Sequence, residues 1–135
     1  MPDPTPPTCT RVEESAAYQA PELDSLAFDG CDLTLRLEAP DNTFCQVTFR
    51  DVIGFRVLNE SDLLEFWNTY SQPHGWLWRV QSGGWFDLER SREQFDVARV
   101  HDTAEEYLVG GDTCVSIITA HPPEITRVGT PIADA

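Results

Sequence analysis

Between Leu33 and Arg50 apolar and polar residues alternate with few breaks. Leu33-Thr34-Leu35-Arg36-Leu37-Glu38 sets its leucines on one face and polar groups on the other, and Cys45, Val47 and Phe49 alternate in the same way with Gln46, Thr48 and Arg50. A period of two is that of a half-buried strand. Upstream, Leu23 to Phe28 runs into Asp29-Gly30, a pair that tolerates the positive φ of a tight turn, so these residues predict a hairpin with Leu33 to Glu38 as the returning strand. Ala39-Pro40-Asp41-Asn42 turns into the third strand. Asp51 interrupts, and Val52 to Leu58 reads as a fourth, with Gly54 a candidate bulge or close-packing site.

The period then changes to about 3.6. From Asn59 to Tyr70, Asn59 or Ser61 can cap, acids occupy the first turn, and Leu63, Phe66, Trp67 and Tyr70 fall on one stripe. This predicts an amphipathic helix, stopped by Pro73-His74-Gly75. Beyond it, Trp76, Trp78 and Val80 are expected on one strand face. Ser82-Gly83-Gly84 turns, and Trp85 to Glu89 returns as a hairpin partner, with Phe86 and Leu88 on one side and Trp85, Asp87 and Glu89 on the other. Ser91 to Asp102 fits a short helix or a packed loop. Glu105 to Val109, the turn Gly110-Gly111-Asp112, and Thr113 to Thr119 predict a last hairpin of β-branched character.

Residues 1–21 hold five of the ten prolines and little apolar periodicity, which predicts a flexible leader. The ordered domain is expected over 22–126, ending at His121-Pro122-Pro123-Glu124-Ile125, with a tail over 127–135. The economical architecture is α+β: an antiparallel sheet or curled half-barrel of six to eight strands with one amphipathic helix packed on one face.

Length and charge narrow the function. The chain of 135 residues fits one domain, and 9 Lys+Arg against 23 Asp+Glu give a net charge of −14. That field opposes nucleic acid and anionic lipid and favours a basic partner. No run approaches the ~20 apolar residues of a membrane span, and the N-terminus lacks the pattern of a signal peptide, so a cytoplasmic protein is expected. Cys9, Cys31, Cys45 and Cys114 are scattered without a close pair, which favours free thiols.

Candidate chemistry is sparse. His74, His101 and His121 lie in turn-like segments; Cys114 with His101 or His121 is the one dyad that can be written, and surface histidines are the simpler reading. No metal-ligand spacing occurs, the glycine pairs lack the helix and lysine of a phosphate loop, and no cofactor is expected. Asp87 and Glu89 share a strand face suited to acid/base work, though such acids are usually a solvated face. Trp76, Trp78 and Trp85 form either a stacking platform for a flat ligand or part of the core, and core packing is the simpler use.

The segments FRDVIGFRVLNESDLLEFW, GWLWRVQSGGWFDLE and EYLVGGDTCVSIITAHPPEI together resemble the small, acidic, β-rich immunity proteins encoded beside bacterial polymorphic toxins, including type VI secretion effectors. The resemblance covers roughly Leu23 to Ile125 and rests on order, size and charge. It implies a protein that is no enzyme and that binds a cognate toxin over its active site. A nuclease toxin has a basic cleft, and the candidate contact acids are Asp62, Glu65, Asp87, Glu89, Glu105, Glu106 and Asp112. The alternative is a small-ligand or carbohydrate-binding module built on Trp76, Trp78 and Trp85. An enzyme using Cys114 or an acid pair ranks third, and the oligomeric state is open.

Overall fold

The alternation that opens the sequence builds one wall of a sandwich. In the computed structural model, which describes residues 8–18, 21–59, 75–82, 84–86 and 104–128, Leu33, Leu35 and Leu37 are each 0% exposed while Thr34, Arg36 and Glu38 remain partly open. These lie on β3 (Leu33–Glu38), between β2 (Glu22–Phe28) and β4 (Phe44–Phe49). The register sets Leu33, Leu35 and Leu37 opposite Phe49, Val47 and Cys45, so the cross-strand neighbours are apolar on the buried side. Each fully buried leucine contributes about 2 kcal/mol of transfer free energy.

The four-stranded sheet, in the order β2-β3-β4-β9, is completed by β9 (Glu124–Val128), whose Ile125 lies opposite Val47. A five-stranded sheet faces it, in the order β1-β6-β7-β8-β5. Its members are β1 (Thr8–Arg11), β5 (Val52–Asn59), β6 (Leu77–Ser82), β7 (Glu105–Val109) and β8 (Thr113–Thr119). All pairings between described strands are antiparallel. Leu77, Tyr107, Val109, Val115 and Ile117 meet the leucines of β3 in one core, where the rings of Phe49 and Tyr107 lie 5.7 Å apart.

The expected antiparallel, sheet-dominated class is therefore present, with nine strands among the described residues instead of six to eight, arranged as two sheets. The helix expected after Asn59 lies outside the described residues, apart from Asn59 itself, which ends β5. The β2–β3 and β7–β8 hairpins form as read, and the register slips at Gly54 as a bulge. At the first turn only Gly30 takes positive φ, at 97°, while the Asp29 carboxylate accepts from the backbone N–H groups of Cys31 and Asp32. The tight two-residue turn is thus replaced by a wider, side-chain-bonded one.

Three boundaries differ from expectation. Residues 8–18 are docked where a leader was expected: β1 pairs β6, and the short 3-10 helix Glu13–Ala17 buries Ser15, whose carbonyl accepts the indole N–H of Trp76 at 3.0 Å. Arg127 and Val128, expected in a tail, complete β9. Of the expected return strand only Trp85 and Phe86 lie within the described residues, and they have helical backbone, while the two edges of β6 are taken by β1 and β7. Pairing between segments distant in sequence leaves no local pattern to read.

Candidate functional site

The candidate residues named from sequence do not gather in one place. Trp76 lies in the core between the sheets, edge-on to Tyr18, whereas Trp78 and Val80 point to the opposite side of the five-stranded sheet. Trp76 and Trp78 are 2% and 5% exposed, so they form no shared platform. Trp85, half-buried beneath the Arg56 guanidinium, packs with Phe86 and Ile118. Cys114 donates to the Gly111 carbonyl at one end of β8, and His121 follows the other end, about 20 Å away at the strand rise. No Cys114–His121 dyad forms.

Glu106 is corrected most sharply. It is 2% exposed, so it offers no contact surface; its carboxylate accepts the backbone N–H groups of Trp85 and Phe86 at 3.2 and 2.8 Å. A Cβ at Gly84 would stand 2.7 Å from both Glu106 Oε1 and Val80 Cγ1, so a residue read only as a turn glycine makes this approach possible. Glu105 pairs with Arg79 at 2.7 Å and accepts the Tyr107 hydroxyl; burial, then the Glu105 charge, pushes that phenol up to about 12. Asp112 is exposed on the β7–β8 turn, its backbone N–H bound to Glu22. Asp62, Glu65, Asp87 and Glu89 lie outside the described residues.

What the fold does bring together is a corner where the chain changes sheets. Three segments meet there: the β2–β3 turn with Asp29, Cys31 and Asp32, the β4–β5 junction Arg50-Asp51, and the β8–β9 junction with His121 and Glu124. Asp51 takes φ +50, the left-handed region that Asp enters more readily than most residues, and this redirects the chain from β4 into β5. Backbone bonds lock the junction, Val52 N–H to the Cys31 carbonyl at 2.8 Å and the Thr119 hydroxyl to the Arg50 carbonyl at 2.8 Å.

Arg50 reaches Asp32 at 2.9 Å and Glu124 at 3.1 Å. The Asp51 N–H, then Arg50, hold the Asp32 carboxyl below its usual range, so it stays ionised. Cys31 Sγ donates to Asp51 Oδ1 at 3.0 Å, and His121 Nε2 lies 3.3 Å from Asp51 Oδ2. Hydrogen bonding to Asp51, then Asp32, pushes the Cys31 thiol up to about 11, so at neutral pH it is a protonated donor and a poor nucleophile. The imidazole faces the carboxylate, so the order needed for a Cys–His base pair is missing.

The corner thus gathers four carboxylates, of which Asp32 and Glu124 are paired with the one guanidinium, and Asp29, Asp51 and Glu124 are exposed. Ligand atoms of Cys31, Asp32 and Asp51 also lie within 4.8 Å of one another. In sequence Asp29 reads as turn chemistry, Asp51 as a break between strands and Glu124 as part of the domain end, and Asp32 is not singled out; the available signal is that all sit at or beside strand ends. Comparisons with protein-family models, curated proteins and solved structures find no match to this chain.

Proposed function

We propose that the protein is a non-catalytic immunity protein that works in the cytoplasm and neutralises a cognate bacterial toxin, of the type VI effector or related polymorphic class, by covering its basic active-site cleft. The observation that carries this reading is the acidic corner: four carboxylates from three chain segments, set on a backbone-bonded junction in a chain of net charge −14. A fixed acidic surface steers a basic partner and competes with its phosphate-bearing substrate without first ordering loops. Asp112 is exposed on the β7–β8 turn, at the opposite end of β8 from this corner, and forms a separate acidic position. Asp62, Glu65, Asp87 and Glu89 join the proposal on sequence alone, and Glu106 leaves it.

The test is co-expression with the product of the adjacent upstream gene, reading survival and co-purification. Rescue with a stoichiometric complex supports the proposal. A harmless neighbour, or a toxic one that is neither bound nor neutralised, overturns it. Association with that partner should also slow on the order of tenfold when salt is raised, since steering is screened.

A further inference from the structure

The same corner contains a donor set whose chemistry differs from a patch of acids. Sulfur, imidazole nitrogen and carboxylate oxygen converge there from three segments, with Cys31, Asp51 and His121 exposed and so reachable from solvent. The Cys31 thiol donates to Asp51 Oδ1 at 3.0 Å and lies within 4.8 Å of an Asp32 carboxylate oxygen. We propose that Cys31, Asp32, Asp51 and His121 form a binding site for one divalent transition-metal ion of the zinc class. The site goes beyond the inhibitor reading and does not depend on it.

Bond lengths of about 2.0–2.3 Å place tetrahedral donors roughly 3.3–3.8 Å apart. The Cys31, Asp32 and Asp51 ligand atoms already lie within 4.8 Å of one another, so contraction of about an ångström closes the set. His121 stands outside that mutual 4.8 Å set and touches it only through Asp51 Oδ2, 3.3 Å from its Nε2; rotation of this exposed side chain, whose backbone N–H is anchored to the Thr119 hydroxyl, would bring it in as the fourth donor. On binding, the sulfur–metal bond forms as the thiol proton leaves to water; no electron is transferred. Sulfur and imidazole select a borderline ion over calcium or magnesium, which favour oxygen cages. Arg50, bonded to Asp32 Oδ2, and the Asp51 N–H, bonded to Oδ1, orient that carboxylate from outside the ligand set. The absence of any metal-ligand spacing in the sequence follows from this assembly across three loops.

Cobalt(II) titration of the full chain tests the site, because a thiolate ligand gives a charge-transfer absorption that carboxylates do not. The expected result is one equivalent bound with that absorption. Cys31→Ser abolishes it, Asp51→Asn and His121→Ala each weaken binding about tenfold or more, and Cys114→Ser leaves it unchanged. His121→Ala alters an exposed side chain, so its effect is readable on a folded protein checked by circular dichroism. No charge-transfer band with excess cobalt, a band that survives Cys31→Ser, or affinity unmoved by His121→Ala overturns the proposal.

Discussion

The two sheets bury their strands by different rules. In the four-stranded sheet β3 alternates strictly between buried and half-open positions, so one face serves the core and the other meets solvent. In the five-stranded sheet β8 is buried at every residue from Cys114 to Thr119, and β7 from Glu106 to Val109. Its second face carries Trp78, Val80, Leu108 and Cys114 as a separate apolar cluster, and Phe86 with Ile118 as another. The first sheet therefore needs only an apolar stripe. The second buries polar groups as well: Glu106 is satisfied by accepting the amides of Trp85 and Phe86, whereas the Ser116 hydroxyl on β8 is buried with no hydrogen-bond partner among the described residues.

This contrast can be broken at unequal cost. Leu35→Ala, at a position with 0% exposure, should destabilise by about 3–5 kcal/mol in urea unfolding, since it leaves a cavity between the sheets. Glu106→Ala should cost about 2–4 kcal/mol by leaving two amides without their acceptor. Glu106→Gln, which keeps one acceptor, should cost less; equal losses would mean that volume and not hydrogen bonding matters there. Gly84→Ala should cost about 1–3 kcal/mol through crowding against Glu106 and Val80. On the polar face of the four-stranded sheet, Gln46→Ala should stay within about 0.5 kcal/mol. A loss there as large as at Leu35 would show that this face is also covered.

The smallest effect sharpens the corner. The Asp32 carboxyl is held below its ordinary 3.8, so its contribution to stability is present above that value and is lost as pH falls through the lowered one. Asp32→Asn should flatten that acid limb of the stability curve and leave the neutral region less affected. An unchanged acid limb would remove the linkage.

How much of this was legible follows from the same contrast. Leu33 to Phe49 announces its sheet because period two survives wherever one face is wet. Runs such as Cys114 to Thr119 give strand character through β-branching but hide which side faces which layer. Thr8–Arg11 and Glu124–Val128 were assigned to a leader and a domain end because their partners, β6 and β4, lie far along the chain and proline dominates their flanks. Trp76 and Trp78 were assigned to one face, yet Trp76 precedes β6, where the strict alternation of the strand need not hold. At the candidate site, Glu106 looked like an exposed acid beside an apolar run and proved part of that run's burial. Asp29, Asp51 and Glu124 read in sequence as turn, break and end residues, and nothing singles out Asp32, since only the sheet-to-sheet crossings bring the four together.

The central claim is that the acidic corner engages a basic partner. The direct measurement is the affinity of the purified chain for the product of the adjacent upstream gene across a salt series, for wild type and for Asp51→Asn/Glu124→Gln. The account predicts a one-to-one complex that weakens with salt, and a variant that binds at least tenfold more weakly with a shallower salt dependence. Equal affinity and equal salt slope for the two proteins, or no complex at all, would contradict it.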